Sequence, residues 1–201
     1  GTLNRILTER DDEVILQDLN YTRDPVGNIT EITDDAQETA FFSNAQVSPT
    51  RSFTYDALYR LIEATGREKV SQTQANAWYS VYAGSPGSIP DATNPALRSY
   101  TQSYTYDEAG NLTEMAHVPS SGSGWRRGYV VATGNNQLVK SSKAGDDPDV
   151  TSTYSDLYAY NDRGAMVFMP HLDASNPNLT RDFRDQITDP TRLQEVKDFT
   201  R

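Results

Sequence analysis

Large side chains recur along this chain at every second position in short runs, not at helical spacing. Tyr104, Tyr106 and then Leu112 carry the bulk, with Thr105 and Thr113 among them, and a period of two marks a strand with one covered face. Between the two runs lies Asp107-Glu108-Ala109-Gly110-Asn111. Its Asp can accept from a backbone N–H two or three residues on, and Gly followed by Asn supplies a position that tolerates positive φ. The run therefore predicts strand, turn, strand: a β-hairpin whose turn is written into its sequence.

The same unit recurs. Tyr21 to Ile32 aligns without a gap on Tyr104 to Met115, and Asp24, Gly27 and Asn28 stand where Asp107, Gly110 and Asn111 stand. A third copy, Phe53 to Ala64, keeps Asp56 and replaces Gly-Asn by Tyr59-Arg60; a fourth, Tyr158 to Met169, keeps Gly164 and replaces Asp by Asn161. Repeat hairpins are thus expected near 19–34, 53–66, 104–117 and 158–170, with turn positions 32, 51 and 54 residues apart. Asp24, Asp56, Asp107 and Asn161 are expected to hold the turns, and Gly27, Gly110 and Gly164 to give the backbone its freedom.

The irregular spacing is taken up by Gly-, Ser- and Pro-containing stretches at 83–88, 119–124 and 143–148, which read as loops. Gly128 to Val131 and Gln137 to Ser141 read as further strands around Gly134-Asn135-Asn136. Helical pattern is scarce, the two short candidates being Val70 to Tyr79 and Thr191 to Phe199. The fold class this predicts is all-β: repeated antiparallel hairpins in a curved sheet, forming one region over residues 1–201 and belonging to a longer protein. The opening Gly1-Thr2-Leu3-Asn4 and the closing Lys197 to Arg201 match no complete element, which suggests a fragment.

Composition sharpens this. A hydrophobic fraction of 36% is low for a compact globule, yet 12 Tyr, 6 Phe and 2 Trp are too many for a disordered acidic chain. Tyrosine carries the apolar load, as suits strands with water near both faces. A net charge of −10 repels phosphate backbones and argues against a nucleic-acid partner. No Cys is present, so packing and backbone pairing must hold the fold. No apolar run is long enough to span a bilayer, and the first residues carry no signal-peptide pattern.

The motif Tyr-x-Tyr-Asp-x-x-Gly-Asn-Leu at Tyr104 to Leu112 resembles the YD repeats of RHS proteins, a group that includes bacterial polymorphic toxins and Tc-type insecticidal toxin complexes. The resemblance extends over Asp24 to Asn28, Phe41 to Asn44, Tyr55 to Glu68, Met169 to Leu172 and Asp182 to Ile187, so it covers residues 17 to 188. It implies a wall segment of a hollow β-shell that encloses a toxic C-terminal segment, secreted or surface-associated as part of a bacterial toxin. Its implied partners are the remainder of the shell, the enclosed segment and other toxin-complex subunits. The self-cleaving region of such proteins has no counterpart in Ile187 to Leu193, so self-processing is not carried over.

Candidate chemistry is thin. Asp34-Asp35, Asp11-Asp12-Glu13 and Asp146-Asp147 with Asp149 are dense acidic groups, but none has the order of a calcium loop, and solvated turns explain them. His117 and His171 lack a metal-ligand spacing, and no Gly-x-Ser-x-Gly elbow occurs. No catalytic residue, metal site or cofactor is expected. A competing reading is a cell-surface adhesion or carbohydrate-binding module, with Trp125, beside Arg126 and Arg127, and Trp78 as a sugar platform. Finally, an excised sheet would expose edges open to a second copy, and Thr101 to Tyr106 is the strand expected to do so.

Overall fold

Alternation of bulky and small polar residues gives strands almost throughout. The structure, a computed structural model, describes residues 1–11, 13–42, 44–70, 96–170, 172 and 177–188. Its strands are β1 (Arg5–Glu9), β2 (Ile15–Arg23), β3 (Ile29–Asp34), β4 (Ala40–Phe42), β5 (Ala45–Val47), β6 (Arg51–Tyr55), β7 (Leu61–Lys69), β8 (Leu97–Tyr106), β9 (Leu112–Pro119), β10 (Trp125–Val131), β11 (Leu138–Ser141), β12 (Asp156–Leu157), β13 (Ala159–Tyr160) and β14 (Met166–Phe168). Ten of them form one sheet in the order β1-β2-β3-β6-β7-β8-β9-β10-β11-β12, while β4-β5 and β13-β14 are separate two-stranded sheets. Every pairing for which a register is resolved is antiparallel. Within the large sheet the order follows the chain, the fourth repeat hairpin standing apart as β13-β14, and the protein is all-β as its patterning predicts.

The chain divides into two compact units, the first made of 1–74, 88–105 and 115–125, the second of 75–87, 106–114 and 126–201. In the first, β2 and β3 pair with Tyr21 opposite Ile32, and β6 and β7 with Phe53 opposite Ala64. The turns after β2 and after β6 leave the sheet on one rim, because two antiparallel strands separate them. The connection 35–50, which carries the β4-β5 hairpin, leaves on the other.

Buried apolar side chains are few: among the described residues they are Val47, Ala64, Ala116, Tyr154 and Leu179. Polar groups are buried beside them, including Asp18, Arg98, His117, Ser141 and Ser142. Each is partnered, as burial requires. Arg5 donates to both oxygens of Asp18 at 2.6 and 2.7 Å. In the second unit the Gly128 amide donates to Ser142 Oγ at 2.8 Å. A Cβ at Gly128 would lie 1.7 Å from Tyr154 Oη, and that hydroxyl donates to the Pro148 carbonyl at 2.7 Å; only glycine lets the ring pass.

One expectation is revised here. The stretch Thr101 to Tyr106 is not an edge, since β8 lies between β7 and β9; the strands at the two ends of that sheet are β1 and β12. Of the helical candidates, Val70 alone is described, at the end of β7, and 71–79 and 191–199 lie outside the described residues.

Candidate functional site, a repeated turn and clasp

The repeat is a five-residue loop with constant backbone bonds. At the first copy the Asp24 amide donates to the Asn28 carbonyl at 2.9 Å and the Gly27 amide donates back to the Asp24 carbonyl at 3.1 Å. The same two bonds close the loops at Asp56 (3.0 and 3.0 Å), Asp107 (3.0 and 3.1 Å) and Asn161 (2.9 and 2.9 Å). The fourth residue of each is left-handed, with φ of 103° at Gly27, 63° at Tyr59, 90° at Gly110 and 81° at Gly164. This is a type I turn followed by a left-handed bulge residue. Pairing registers shift beside it, at Thr22/Arg23, Thr54/Tyr55 and Ala159/Tyr160.

The turn aspartate caps the loop from inside. Asp24 Oδ1 accepts from the amides of Val26 (3.1 Å) and Asn28 (2.8 Å), and its Oδ2 accepts from the Asn28 side chain at 2.9 Å. Asp107 accepts from the Asn111 amide and side chain, both at 2.8 Å. Asp56 accepts from Leu58 and Arg60 amides at 2.8 and 2.9 Å, and the Arg60 guanidinium takes the place of the Asn amide at 2.7 Å. Asn161 Oδ1 accepts from Arg163 and Ala165 at 3.0 and 2.9 Å. The donors stand two and four residues on, one beyond the reach expected from a simple turn, because the bulge residue adds a step.

Charge follows this geometry. Burial raises the Asp24 carboxyl, but the Asn28 side chain and the loop amides outweigh it and hold the group below the ordinary carboxylate value. Asp56 is lowered first by the Arg60 amide, and Asp107 first by the Asn111 side chain.

One further copy, and one connection between hairpins with the same backbone bonds, lack the expected glycine. Asp182 accepts from the Arg184 and Gln186 amides at 2.8 and 3.0 Å, with Asp185 left-handed at φ 59°. Arg10 to Val14 has the same two backbone bonds, at 3.0 and 2.9 Å, with Glu13 at φ 64°. The acceptor carboxylate at Asp182 was the available signal; nothing in Arg10 to Val14 announces a turn of this kind.

At four turns the residue before the turn position reaches back to a carbonyl earlier in the chain. Tyr55 Oη donates to the Ile29 carbonyl at 2.9 Å, and Ile29 is the fifth residue after Asp24. Arg181 Nε donates at 2.6 Å to the carbonyl of Met166, the fifth after Asn161, and its NH1 to that of Asp185 at 2.6 Å. Arg23 repeats this double contact, reaching its own loop at Gly27 (3.0 Å) and backwards to Leu3 (3.2 Å). Tyr160 Oη donates to the Leu138 carbonyl at 3.0 Å. Burial raises the hydroxyl pKa of both Tyr55 and Tyr160. The residue before the turn Asp or Asn is therefore a clasp at these four positions, tyrosine at two of them and arginine at the other two.

Comparison with known proteins gives these repeats a family. No family model matches the chain. Toxin subunit YenC2 of Yersinia entomophaga is 36% identical over 149 residues, which cover 70% of this chain and 14% of that protein. Toxin subunit YenC1 of the same organism is 34% identical, covering 71% and 14%. The crystal structure of TcdB2-TccC3-Cdc42 matches 82% of this chain and 8% of its own with a TM-score of 0.58 at 32% identity. The Photorhabdus luminescens Tc holotoxin pore, with a TccC3 variant, matches 91% of this chain and 8% of its own with a TM-score of 0.61 at 30% identity. The chain belongs to the RHS-repeat proteins of Tc-type toxin complexes.

This RHS segment spans 14% of the length of the curated relatives it matches. Its other candidate residues fall into structural settings. Trp125 stacks on His117 with centroids 5.4 Å apart and planes 10° apart, so one face of that indole is covered by protein. His117 Nε2 lies 3.1 Å from Glu68 Oε2. Arg98, 2% exposed, grips Glu68 Oε1 with Nε at 2.7 Å and NH2 at 2.6 Å, and donates to the Ser121 carbonyl. This polar cluster, drawn from β7, β8 and β9, ties the loop after β9 to the sheet through Arg98. Trp78 and His171 lie outside the described residues.

The acidic groups serve local loops. Asp146 accepts from the Lys143 and Ser155 amides, each at 2.9 Å. Asp34 Oδ1 accepts from the Asp18 amide at 3.0 Å and the Ala36 amide at 3.2 Å. Asp35 Oδ2 accepts from the Asn20 side chain at 3.0 Å. Among the described residues no group of three or more acidic or histidine side chains is placed to hold a metal ion.

Proposed function

We propose that this RHS segment is a non-enzymatic length of shell wall that, in its parent toxin subunit, encloses a toxic C-terminal segment. One observation carries the reading: each of the four repeat loops is capped by its own Asp or Asn, and the residues before three of them, Arg23, Tyr55 and Tyr160, reach back to carbonyls earlier in the chain, so the repeat adds strand to strand instead of closing a core. The thin apolar burial and the partnered polar groups inside the sheet support a wall with water near both faces. Its partners are the remainder of the shell, the enclosed segment and other subunits of a secreted toxin complex.

The test is limited proteolysis of the full-length parent subunit, following the C-terminal segment. In the unaltered subunit that segment is expected to survive protease that digests it rapidly when expressed alone. A double variant Asp24→Ala with Asp56→Ala, shown by hydrogen exchange to open those turns, is expected to shorten its survival. Equal digestion of the enclosed and free segment, or an opened wall that protects as well as the intact one, would overturn the proposal.

A further inference from the structure

Among the described residues, β1 has β2 on one side and no strand on the other. Its place in the repeat is fixed by two separate relationships. The first is register. Where a return strand meets the next hairpin, Glu31 faces Ser52 and Glu63 faces Ser103; in both pairs the seventh residue after one turn aspartate faces the fourth before the next. Arg5 faces Asn20, the fourth before Asp24. The second is the clasp. Tyr55 and Arg181 reach the carbonyl of the fifth residue after the preceding turn position, and Arg23 reaches that of Leu3.

Both relationships give the same frame. If Arg5 is a seventh residue, Leu3 is a fifth, and Gly1 occupies the left-handed position of a turn. Gly1-Thr2-Leu3-Asn4-Arg5-Ile6 then lies over Gly27-Asn28-Ile29-Thr30-Glu31-Ile32 and Gly110-Asn111-Leu112-Thr113-Glu114-Met115. By its geometry β1 is a return strand.

We propose that the outer edge of β1 is the seat of an antiparallel strand of the form aromatic-x-(Tyr or Arg)-(Asp or Asn), whose five-residue turn is completed by Gly1 and Thr2. The frame states what each position meets. The aromatic residue lies opposite Ile6, as Tyr21 lies opposite Ile32 and Phe53 opposite Ala64; the Tyr or Arg lies opposite Leu3, as Arg23 lies opposite Ile29 and Tyr55 opposite Leu61. Leu3 and Leu7, 54% and 43% exposed, gain a neighbour. The Tyr21 amide donates to the Asn4 carbonyl at 2.9 Å, so strand alternation points the amides of Arg5 and Leu7 to the open side. The relatives' greater length leaves room for this strand in the same polypeptide. The inference rests on the repeat geometry alone and stands whether or not the wall encloses a cargo.

The test adds Thr-Gln-Ser-Tyr-Thr-Tyr-Asp-Glu-Ala, copied from Thr101 to Ala109, directly before Gly1 and follows amide hydrogen exchange. Exchange at Arg5 and Leu7 should slow by about tenfold or more, and less with a second extension in which the copies of Tyr106 and Asp107 are alanine. No slowing, while the β6 and β7 amides stay protected, overturns the proposal. So does equal slowing by both extensions, or protection in the unextended chain that fades on dilution, which would give the edge to a second copy. The parent gene gives a reading independent of folding. The six residues encoded immediately before Gly1 should be aromatic-x-(Tyr or Arg)-(Asp or Asn)-x-x, and any other sequence there overturns the assignment.

Discussion

Tyr55 donates its hydroxyl proton to the carbonyl of Ile29 at 2.9 Å, fastening one hairpin to the one before it. Tyr55→Phe removes that bond and leaves ring packing intact, so stability should fall by about 0.5–1.5 kcal/mol. Urea denaturation measures the loss. Tyr160→Phe, which frees the Leu138 carbonyl, should behave alike, and an unchanged midpoint in both would remove the clasp from the stabilising contacts.

Acid should loosen the turns. Asp24, Asp56 and Asp107 have folded pKa values below the ordinary 3.8, so the unfolded chain binds more protons in the acid range. Their contribution is complete above 3.8 and is lost as pH falls through the lower folded values. Asp107→Asn should retain the loop, as Asn161 does, while the acid sensitivity of exchange at Gly110 and Asn111 disappears. Persistence of that sensitivity in the variant would assign it to another group.

The left-handed position should respond with opposite signs in two copies. Tyr59 stands there at φ 63° and is 60% exposed, so Tyr59→Gly should stabilise by about 0.5–1 kcal/mol. Gly110→Val places a β-branched side chain at φ 90° and should cost about 1–3 kcal/mol. Chemical denaturation of the two variants side by side gives both signs.

Arg98→Met should be the most damaging of these changes. The guanidinium is 2% exposed and satisfies Glu68 and the Ser121 carbonyl together. Its removal leaves a buried carboxylate with a smaller share of partners, at a cost of about 3–5 kcal/mol. Glu68→Gln combined with Arg98→Met should recover part of the loss, and a double variant as unstable as the sum of the two would argue against coupling.

The turns were legible because their chemistry is local. Asp, Gly and Asn act on backbone within five residues, so Asp24, Asp107 and Asn161 could be placed from spacing alone. Asp182 escaped because Asp185 and Gln186 stand where Gly and Asn mark the other copies, although the acceptor that organises the loop is present. The clasp was hidden for another reason: Tyr55 bonds a carbonyl, which has no sequence signature, in a different hairpin. The Arg98, Glu68 and His117 cluster was equally illegible, since its members come from three strands and meet only through register. Nor does the sequence show that His117 stacks on one face of Trp125, since the two residues stand on different strands.

The clasp has a direction. Tyr55, Tyr160 and Arg181 all reach back to residues earlier in the chain. During synthesis, each emerging hairpin therefore meets an acceptor that the ribosome has already released, and no fastening has to wait for sequence still to be translated. Such a sheet can set from its amino-terminal end as it is made, one hairpin at a time.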